Sequence, residues 1–490
     1  MTLGMDGSLP RRRFLRLAAG GAALIAAGIT PALSSCGDSP SDPGGDEDER
    51  SPLPQPATLS AQMASLTAAA AVVGIAGGGS APVWLFNGLL PGPTIRARRG
   101  DQAHIRLLNQ LEQPTIVHWH GVVVPAAADG HPRDVIAPGA TYDYEFPLVQ
   151  RAGTFWYHPH AHHSTAGQIH RGLAGFFLIG DDEEDALGLP SGSREILLLL
   201  QDREGDAAGA FSYAPTTDDL RGGMLREVPF GNGVPRPTLS VVGARYRFRV
   251  LNASQARVYR LALSGGRALS VIGNDDGLLP AIAEVESAYL GVGERIDLLI
   301  DFRDVPVGTR LMLESLPFEL PSSTAGPFPQ GMPMDLLELV RIEGTVPAEP
   351  PLPTTLSTVA PLVATAPART FTFTSTDQEE MHQINGRSFD MNRVDEQIPL
   401  GQVERWIFRN DSSLPHPVHL HGTHFQVVAR SGGRNVVFPY EAGWKDTVLL
   451  MPLETVEALV AFDRYLGIFP LHCHNLQHED RGMMLNVEVI

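Results

Sequence analysis

The last twenty residues of the chain carry a dense set of side chains that can bind a metal. Cys473 stands between His472 and His474, His478 follows five residues after the cysteine, and Met483 follows five residues after that. Two imidazoles, one thiolate and a weak axial thioether are the ligands of a blue-copper electron-transfer site. Cys473, His478 and Met483 could supply three of these ligands and leave one histidine to be found upstream.

The two histidines that flank Cys473 could serve a second metal centre. Successive side chains of a strand point to opposite faces, so His472 and His474 would face away from Cys473. One covalent segment would then join an electron-accepting copper to another metal site. Two alternatives are a surface tract of histidine and cysteine, or an unrelated metal site to which Cys473 contributes alone.

Three further histidine motifs complete the pattern. They are His118-Trp119-His120-Gly121, Trp156-Tyr157-His158-Pro159-His160 and His416-Pro417-Val418-His419-Leu420-His421-Gly422. Ten of the seventeen histidines fall in the four motifs, and residues 190–345 contain none. A single His-x-His pair is often incidental, but four pairs divided between the two ends of one chain indicate a shared metal cluster.

In this order the four motifs resemble those of the three-domain multicopper oxidases, of the bacterial laccase and copper-efflux oxidase kind, over roughly residues 55–490. The resemblance implies an all-β fold of three tandem cupredoxin-like Greek-key β-sandwich domains and four copper ions. The implied ligands are His416, Cys473, His478 and axial Met483 for one type 1 copper, His118 and His419 for one type 2 copper, and His120, His158, His160, His421, His472 and His474 for two type 3 coppers.

Two carboxylates match the proton-delivery positions of that family. Asp129 lies nine residues after His120, and Glu479 follows His478 directly. Protons must reach the O2-reducing centre, and positioned carboxylates are suited to deliver them. The alternatives are a simple turn at Asp129-Gly130 and a solvated charge group around Glu479.

The activity that the resemblance implies is laccase-like. A small phenolic or similar reductant would give up electrons one at a time at the blue copper, and O2 would take four electrons to become water at the trinuclear cluster. Copper-efflux oxidases carry a methionine-rich insert that binds Cu(I), whereas the methionines here are scattered. A cuprous (metal-ion) oxidase for copper tolerance and a non-catalytic copper-sequestering protein are the alternatives.

An internal repeat predicts the elements that must position these residues. Residues 100–109, 243–252 and 401–410 share a length and an alternation of polar and apolar side chains, and an Asn-Gly turn precedes each of them. Fifty Gly and forty Pro favour short strands joined by many turns. We predict domains at residues 58–185, 190–345 and 358–490, with ligands in the first and third and a spacer in the second.

The N-terminal residues predict export. Residues 1–36 resemble a twin-arginine signal with an apolar run, and residues 37–57 have the composition of a flexible tether. Cys36 ends a sequence that resembles a lipoprotein cleavage box, so either a lipid anchor at Cys36 or cleavage at Ala32-Leu33-Ser34 is expected. The location would be periplasmic or at the cell surface.

The charge of the chain bears on its partners. The formal net charge of −18 argues against nucleic acid, because phosphate binding requires a basic surface. The resemblance to multicopper oxidases implies O2 and a small reductant as partners, and the expected state is a monomer.

Overall fold

The computed structural model describes residues 50–74, 79–205, 209–321, 327–344, 346, 348–375 and 382–490. The predicted signal segment at residues 1–36 and residues 37–49 of the predicted tether lie outside the described residues. Within the described part of the chain, no helix is both long enough and apolar enough to cross a membrane.

The N-terminal third is a sandwich of two sheets. Its sheets have the strand orders β2-β5-β10-β9-β7 and β4-β3-β6-β8. Between them lies an apolar core that includes Trp119, Tyr144, Phe155 and Phe177. The elements are β1 Ser51–Pro52, β2 Thr58–Ser60, β3 Ala64–Gly74, β4 Ser80–Phe86, β5 Thr94–Arg98, β6 Gln102–Asn109, β7 Val117–His120, β8 Thr141–Pro147, β9 Gly153–Pro159, α1 Thr165–His170, β10 Gly175–Gly180 and α2 Asp182–Asp185.

The middle third forms two larger sheets, with the strand orders β1-β14-β22-β21-β16-β19 and β13-β12-β11-β15-β20-β17-β18. Strand β1 belongs here because Ser51 and Pro52 pair with Pro237 and Thr238, and Leu53 is buried in the same core. This end of the predicted tether is therefore packed on the fold. The elements are β11 Glu195–Arg203, α3 Thr217–Gly222, β12 Val228–Gly231, β13 Val234–Pro235, β14 Pro237–Val241, β15 Arg245–Asn252, β16 Tyr259–Leu263, β17 Leu269–Asn274, β18 Gly277–Val285, β19 Ala288–Leu290, β20 Arg295–Asp301, β21 Arg310–Ser315 and β22 Met334–Arg341.

The C-terminal third is again a two-sheet sandwich. The strand orders are β24-β23-β26-β30-β28 and β25-β32-β31-β27-β29. Phe371, Trp406, Phe408 and Phe469 fill its core, and Cys473 and Met483 belong to the same cluster. The elements are β23 Arg369–Ser375, β24 His382–Ile384, β25 Glu396–Ile398, β26 Val403–Asn410, β27 His416–Leu420, β28 Phe425–Ser431, β29 Thr447–Leu450, β30 Thr455–Ala461, β31 Gly467–Cys473, α4 Leu476–Asp480 and β32 Met484–Val489.

The sequence repeat corresponds to a structural repeat. Strands β6, β15 and β26 occupy equivalent places, each pairing in parallel with the first long strand of its own third, namely β3, β11 and β23. The Asn-Gly turns have left-handed backbones, with φ of 55° at Asn87, 49° at Asn232 and 53° at Asn385. In each turn the asparagine Oδ1 accepts a hydrogen bond from a neighbouring backbone N–H, at 2.7 Å, 2.8 Å and 2.8 Å respectively. Asparagine tolerates this conformation better than most residues, which explains the recurring signal.

The repeated strands differ in what covers their outer faces. Strands β6 and β26 alternate buried apolar and more exposed polar residues, whereas every residue of β15 is buried. The polar face of β15 carries Arg247 and Arg249, which bond to Asp297 and Glu195 respectively. Strand β15 is therefore covered on both faces, and its arginines are buried with their partners.

Candidate metal centre

Strand β31 and the turn after it hold the Cys/His segment against its partners. Strand β31 is antiparallel to β27, with Cys473 opposite Val418 and His472 opposite His419. Asn475 caps α4 by accepting a hydrogen bond from the backbone N–H of Gln477 at 3.2 Å. The short helix then returns the chain so that His478 lies beside Cys473.

The first donor group consists of His416, Cys473 and His478. The Sγ atom of Cys473 lies 3.3 Å from Nδ1 of His416 and 3.7 Å from Nδ1 of His478, and these two nitrogens are 3.2 Å apart. All three residues are 0 % exposed. Met483 is buried in the same cluster, and its carbonyl oxygen accepts a hydrogen bond from the Cys473 N–H at 3.0 Å. A thiolate and two imidazoles in a dry pocket suit a copper ion.

Burial sets the protonation of this group. It lowers the pKa of His416 to about 3, so the imidazole is neutral at pH 7 and offers a lone pair. It also raises the pKa of the Cys473 thiol, because a thiolate is costly to bury without a counter-charge. His416, Cys473 and His478 would hold a cation whose charge offsets this cost and favours the thiolate.

The second donor group brings together eight histidines from both ends of the chain. Their ring nitrogens approach closely: Nε2 of His118 lies 3.2 Å from Nε2 of His419, and Nε2 of His472 lies 3.1 Å from Nε2 of His421 and 3.3 Å from Nε2 of His160. None is more than 1 % exposed. The eight are His118, His120, His158, His160, His419, His421, His472 and His474.

Three overlapping trios of these histidines have ligand atoms that all lie within 4.8 Å of one another. They are His118-His120-His158, His118-His419-His421 and His160-His421-His472. His474 lies beside the first trio, with its ring centroid 4.9 Å from that of His120 and 5.3 Å from that of His158.

Hydrogen bonds on the outer side of the cluster orient the rings. In four of them Nδ1–H donates to a backbone carbonyl oxygen, which leaves the Nε2 lone pair directed inward. The pairs are His118 to Asp129 (2.7 Å), His158 to Pro159 (2.9 Å), His419 to Asp446 (2.9 Å) and His472 to Cys473 (3.1 Å).

Several inward nitrogens have no partner in the protein. Among the described residues, Nε2 of His158, Nδ1 of His120 and both ring nitrogens of His474 lack a hydrogen bond. Leaving buried polar atoms unpaired is costly. Metal ions would satisfy them, so the donor set fits a metal cluster.

The two predicted carboxylates both lie at this cluster. Asp129 is 0 % exposed, and its Oδ2 accepts a hydrogen bond from Nδ1 of His421 at 2.7 Å. Its Oδ1 has no hydrogen-bond partner and lies 3.7 Å from Nδ1 of His118. Burial raises the pKa of Asp129 well above its usual range.

Glu479 occupies a different environment. Its Oε2 lies 3.3 Å from Nδ1 of His472, and its Oε1 lies 3.7 Å from Nε2 of His160. Burial disfavours the charged form, but the neighbouring imidazoles of His472 and His160 outweigh burial and lower the pKa of Glu479. The surroundings of the two carboxylates therefore shift their pKa values in opposite directions.

The structure adds residues that the sequence motifs do not reveal. Asp446 contacts His120 and His419, and Arg295 from the middle third contacts Asp446. His382 stacks on His478, with ring centroids 3.9 Å apart and planes 27° apart. None has a recognisable spacing to the histidine motifs, so only the fold brings them to the site.

Comparison with known proteins agrees with this geometry. The family model described as multicopper oxidase matches residues 68–184, and a second model of that description matches residues 363–490. A bilirubin oxidase from Albifimbria verrucaria is 35 % identical, over 83 % of this chain and 72 % of that protein. The chain belongs to the multicopper oxidase family.

Two further multicopper oxidases extend the likeness. A laccase from Bacillus stratosphericus is 32 % identical, over 83 % of this chain and 91 % of that protein. The crystal structure of McoA multicopper oxidase from Aquifex aeolicus matches with a TM-score of 0.82 and 33 % identity, over 90 % of this chain and 99 % of that chain. The expected fold of tandem cupredoxin-like sandwiches is confirmed, and the chain is an oxidoreductase of a copper-using family.

One relative carries a different kind of name. The cell division protein FtsP from Dickeya dadantii is 33 % identical, over 97 % of this chain and 97 % of that protein. Relatives of similar identity to this chain therefore carry different kinds of name.

Proposed function

We propose that the chain is a laccase-like multicopper oxidase. It would couple one-electron oxidation of phenolic or similar small reductants to the four-electron reduction of O2 to water. The copper sites in this proposal are type 1 at His416, Cys473, His478 and Met483, type 2 at His118 and His419, and a type 3 pair at His120, His158, His160, His421, His472 and His474.

The observation that carries the proposal is the placement of three consecutive residues. Cys473 directs its Sγ toward His416 and His478, whereas its neighbours His472 and His474 lie among the cluster histidines. The two donor groups are therefore joined by one short stretch of backbone, as a device that passes electrons from one site to the other requires.

Bound copper ions would supply the stored electrons and the O2 chemistry. The chain supplies a dry, rigid enclosure, because every histidine and cysteine donor is at most 1 % exposed. Hydrogen bonds to backbone carbonyl oxygens orient four of the rings before metal binds, which limits the reorganisation needed there.

We assign proton delivery to Asp129 and Glu479. With its raised pKa, Asp129 can hold a proton on Oδ1, the oxygen that no protein group occupies. Glu479 holds its Oε2 3.3 Å from Nδ1 of His472 and its Oε1 3.7 Å from Nε2 of His160, a position from which a carboxylate can exchange protons with groups at the cluster.

The reductant side lies where α3 covers His478. The carbonyl oxygen of Arg221 accepts a hydrogen bond from Nε2 of His478 at 3.2 Å, so this strip of backbone separates the imidazole from solvent. A surface cavity of about 500 Å³ adjoins it and is lined by Glu204, Asp218, Asp219 and Glu227, among other residues. We place reductant docking in this cavity, whose carboxylates favour neutral or cationic phenols and amines over anions.

Oxygen uptake by copper-loaded protein tests the proposal. We expect rapid uptake with a phenol and little with Cu(I). The matched control is Cys473→Ser, which removes the thiolate of the first donor group and keeps the eight histidines. That variant should lose the intense blue absorption and the phenol-driven uptake together.

Other results would favour other functions. A strong preference for Cu(I) would indicate a cuprous oxidase for copper tolerance. The absence of oxygen uptake with either reductant, in a preparation that holds four coppers, would contradict the oxidase proposal. It would favour copper sequestration, or a role in cell division such as the name of the Dickeya dadantii relative gives for that protein.

Further assignments complete the proposal. We propose the domain limits 58–185, 190–345 and 358–490, supported by three separate apolar cores, of which the middle one also takes in Leu53 and Tyr440 from outside its limits. We also propose export by the twin-arginine route to the periplasm or cell surface, with a lipid anchor at Cys36, and a monomeric state.

A further inference from the structure

A single buried aspartate touches ligands that belong to two different proposed copper positions. The Oδ1 atom of Asp446 accepts a hydrogen bond from Nε2–H of His120 at 3.0 Å and another from Oγ1–H of Thr447 at 2.7 Å. Its backbone carbonyl oxygen accepts a hydrogen bond from Nδ1–H of His419 at 2.9 Å. Asp446, His120 and His419 are all 0 % exposed.

The contact with Asp446 gives His120 an orientation unlike that of its neighbours. His118, His158, His419 and His472 donate Nδ1–H outward and direct Nε2 inward. His120 does the reverse, since its Nε2 is bonded to Asp446 and its buried Nδ1 has no partner. A neutral imidazole has one N–H and one lone pair, so donation from Nε2 makes Nδ1 the only nitrogen that can bind metal.

Asp446 is itself held by an arginine from the middle third of the chain. Arg295, the first residue of β20, donates from Nη1 to Oδ1 of Asp446 at 2.8 Å and from Nη2 to Oδ2. Its Nε donates to the carbonyl oxygen of Thr154 at 2.8 Å, on the strand that leads to His158. The fork geometry of a guanidinium fixes a carboxylate in both distance and plane.

The backbone next to His120 leaves no room for a side chain between it and the ion pair of Asp446 and Arg295. Gly121 has φ of 82°, and a Cβ atom there would lie 2.3 Å from Oδ2 of Asp446 and 2.7 Å from Nη2 of Arg295. The ion pair therefore packs directly on the main chain that carries the ligand.

We propose that Arg295 and Asp446 form a positioning pair that sets the tautomer and direction of His120 and orients His419. The middle third contains no histidine, yet through this pair it completes the trinuclear site. The inference rests on the proposed assignment of the eight histidines to copper. It gives the middle third, predicted to be a spacer without copper ligands, a part in positioning the ligands of the other two thirds.

The test compares full-length, copper-loaded variants by copper content and spectroscopy as well as by O2 uptake. Asp446→Asn and Arg295→Lys should lose cluster copper, seen as a lower metal-to-protein ratio and altered type 2 and type 3 signals. The blue absorption from Cys473 should stay. Removal of a partner that orients a ligand typically weakens metal binding or activity about 10- to 100-fold.

A matched control separates positioning from general damage to a buried ion pair. Asp202 pairs with Arg257 at 2.8 Å, with side-chain exposures of 0 % and 1 %, and contacts no histidine of the cluster. Asp202→Asn should keep the copper content and signals of the wild type even if it lowers stability.

The outcomes are distinct. Full cluster copper and unchanged signals in both Asp446→Asn and Arg295→Lys would refute the positioning role of the pair. Equal copper loss in Asp202→Asn would refute it as well. Arg295→Lys keeps a positive charge beside Asp446. Its copper content and signals therefore test the proposal even if Asp446→Asn does not fold. Wild-type protein without cluster copper would instead refute the proposed function.

Discussion

Acid should unfold the copper-free protein through its ligand histidines. Burial lowers the pKa of His158, His160 and His416 to about 3 in the folded chain, whereas an exposed histidine in an unfolded chain has a pKa of about 6.5. Between these values the unfolded chain binds protons that the folded chain does not. Stability from these residues is therefore present above pH 6.5 and is lost as the pH falls.

The size of the effect follows from the same pKa values. Between pH 7 and pH 5 each such histidine removes about 2 kcal/mol from the free energy of unfolding. The three together remove about 6 kcal/mol, which is comparable with the whole stability of an ordinary domain, about 5 to 15 kcal/mol.

Urea unfolding of the apoprotein at pH 7 and pH 5, followed by tryptophan fluorescence, measures this loss. In His416→Gln the difference between the two pH values should shrink by about 2 kcal/mol, because one proton-binding site of the unfolded chain is gone. The control is His104→Gln, whose side chain is 51 % exposed on β6. An unchanged pH dependence in His416→Gln would refute the reasoning.

Three further variants test separate parts of the site. Asp129→Asn should slow O2 uptake about 100-fold while anaerobic bleaching of the blue absorption by a phenol keeps its rate, and wild-type turnover would contradict the role of Asp129. Met483→Leu should raise the reduction potential of the blue site in a redox titration, since the axial ligand tunes it, and an unchanged potential would count against axial ligation. His382→Ala should shift the blue absorption and the potential by removing the ring stacked on His478, whereas His382→Phe should stay close to wild type. Identical spectra in His382→Ala and wild type would show that the stacked ring has no influence on the site.

Much of the protein could be predicted from local sequence. The repeat could be recognised because an Asn-Gly turn and a half-buried strand each constrain the residue types within a few neighbouring positions. The family was visible because Cys473 and its flanking histidines must be neighbours in sequence to serve two sites.

Other features depended on contacts that no short motif encodes. Asp446 has an acidic side chain like many others in the chain, and only the fold places it within 3.0 Å of His120, 326 residues away. The burial of the arginines of β15 likewise has no signal in the sequence, because alternation does not distinguish a strand face covered by water from one covered by charged partners.

The sequence by itself predicted the repeated sandwich fold and the family and indicated the candidate metal donors, since these depend on residue type and on spacing within one strand or turn. Only the tertiary structure decided the direction of each imidazole, the environments that separate Asp129 from Glu479, and the part that the middle third plays through Arg295. Those properties arise from burial and from hydrogen bonds between distant segments, and such contacts exist only once the three thirds of the chain have packed together.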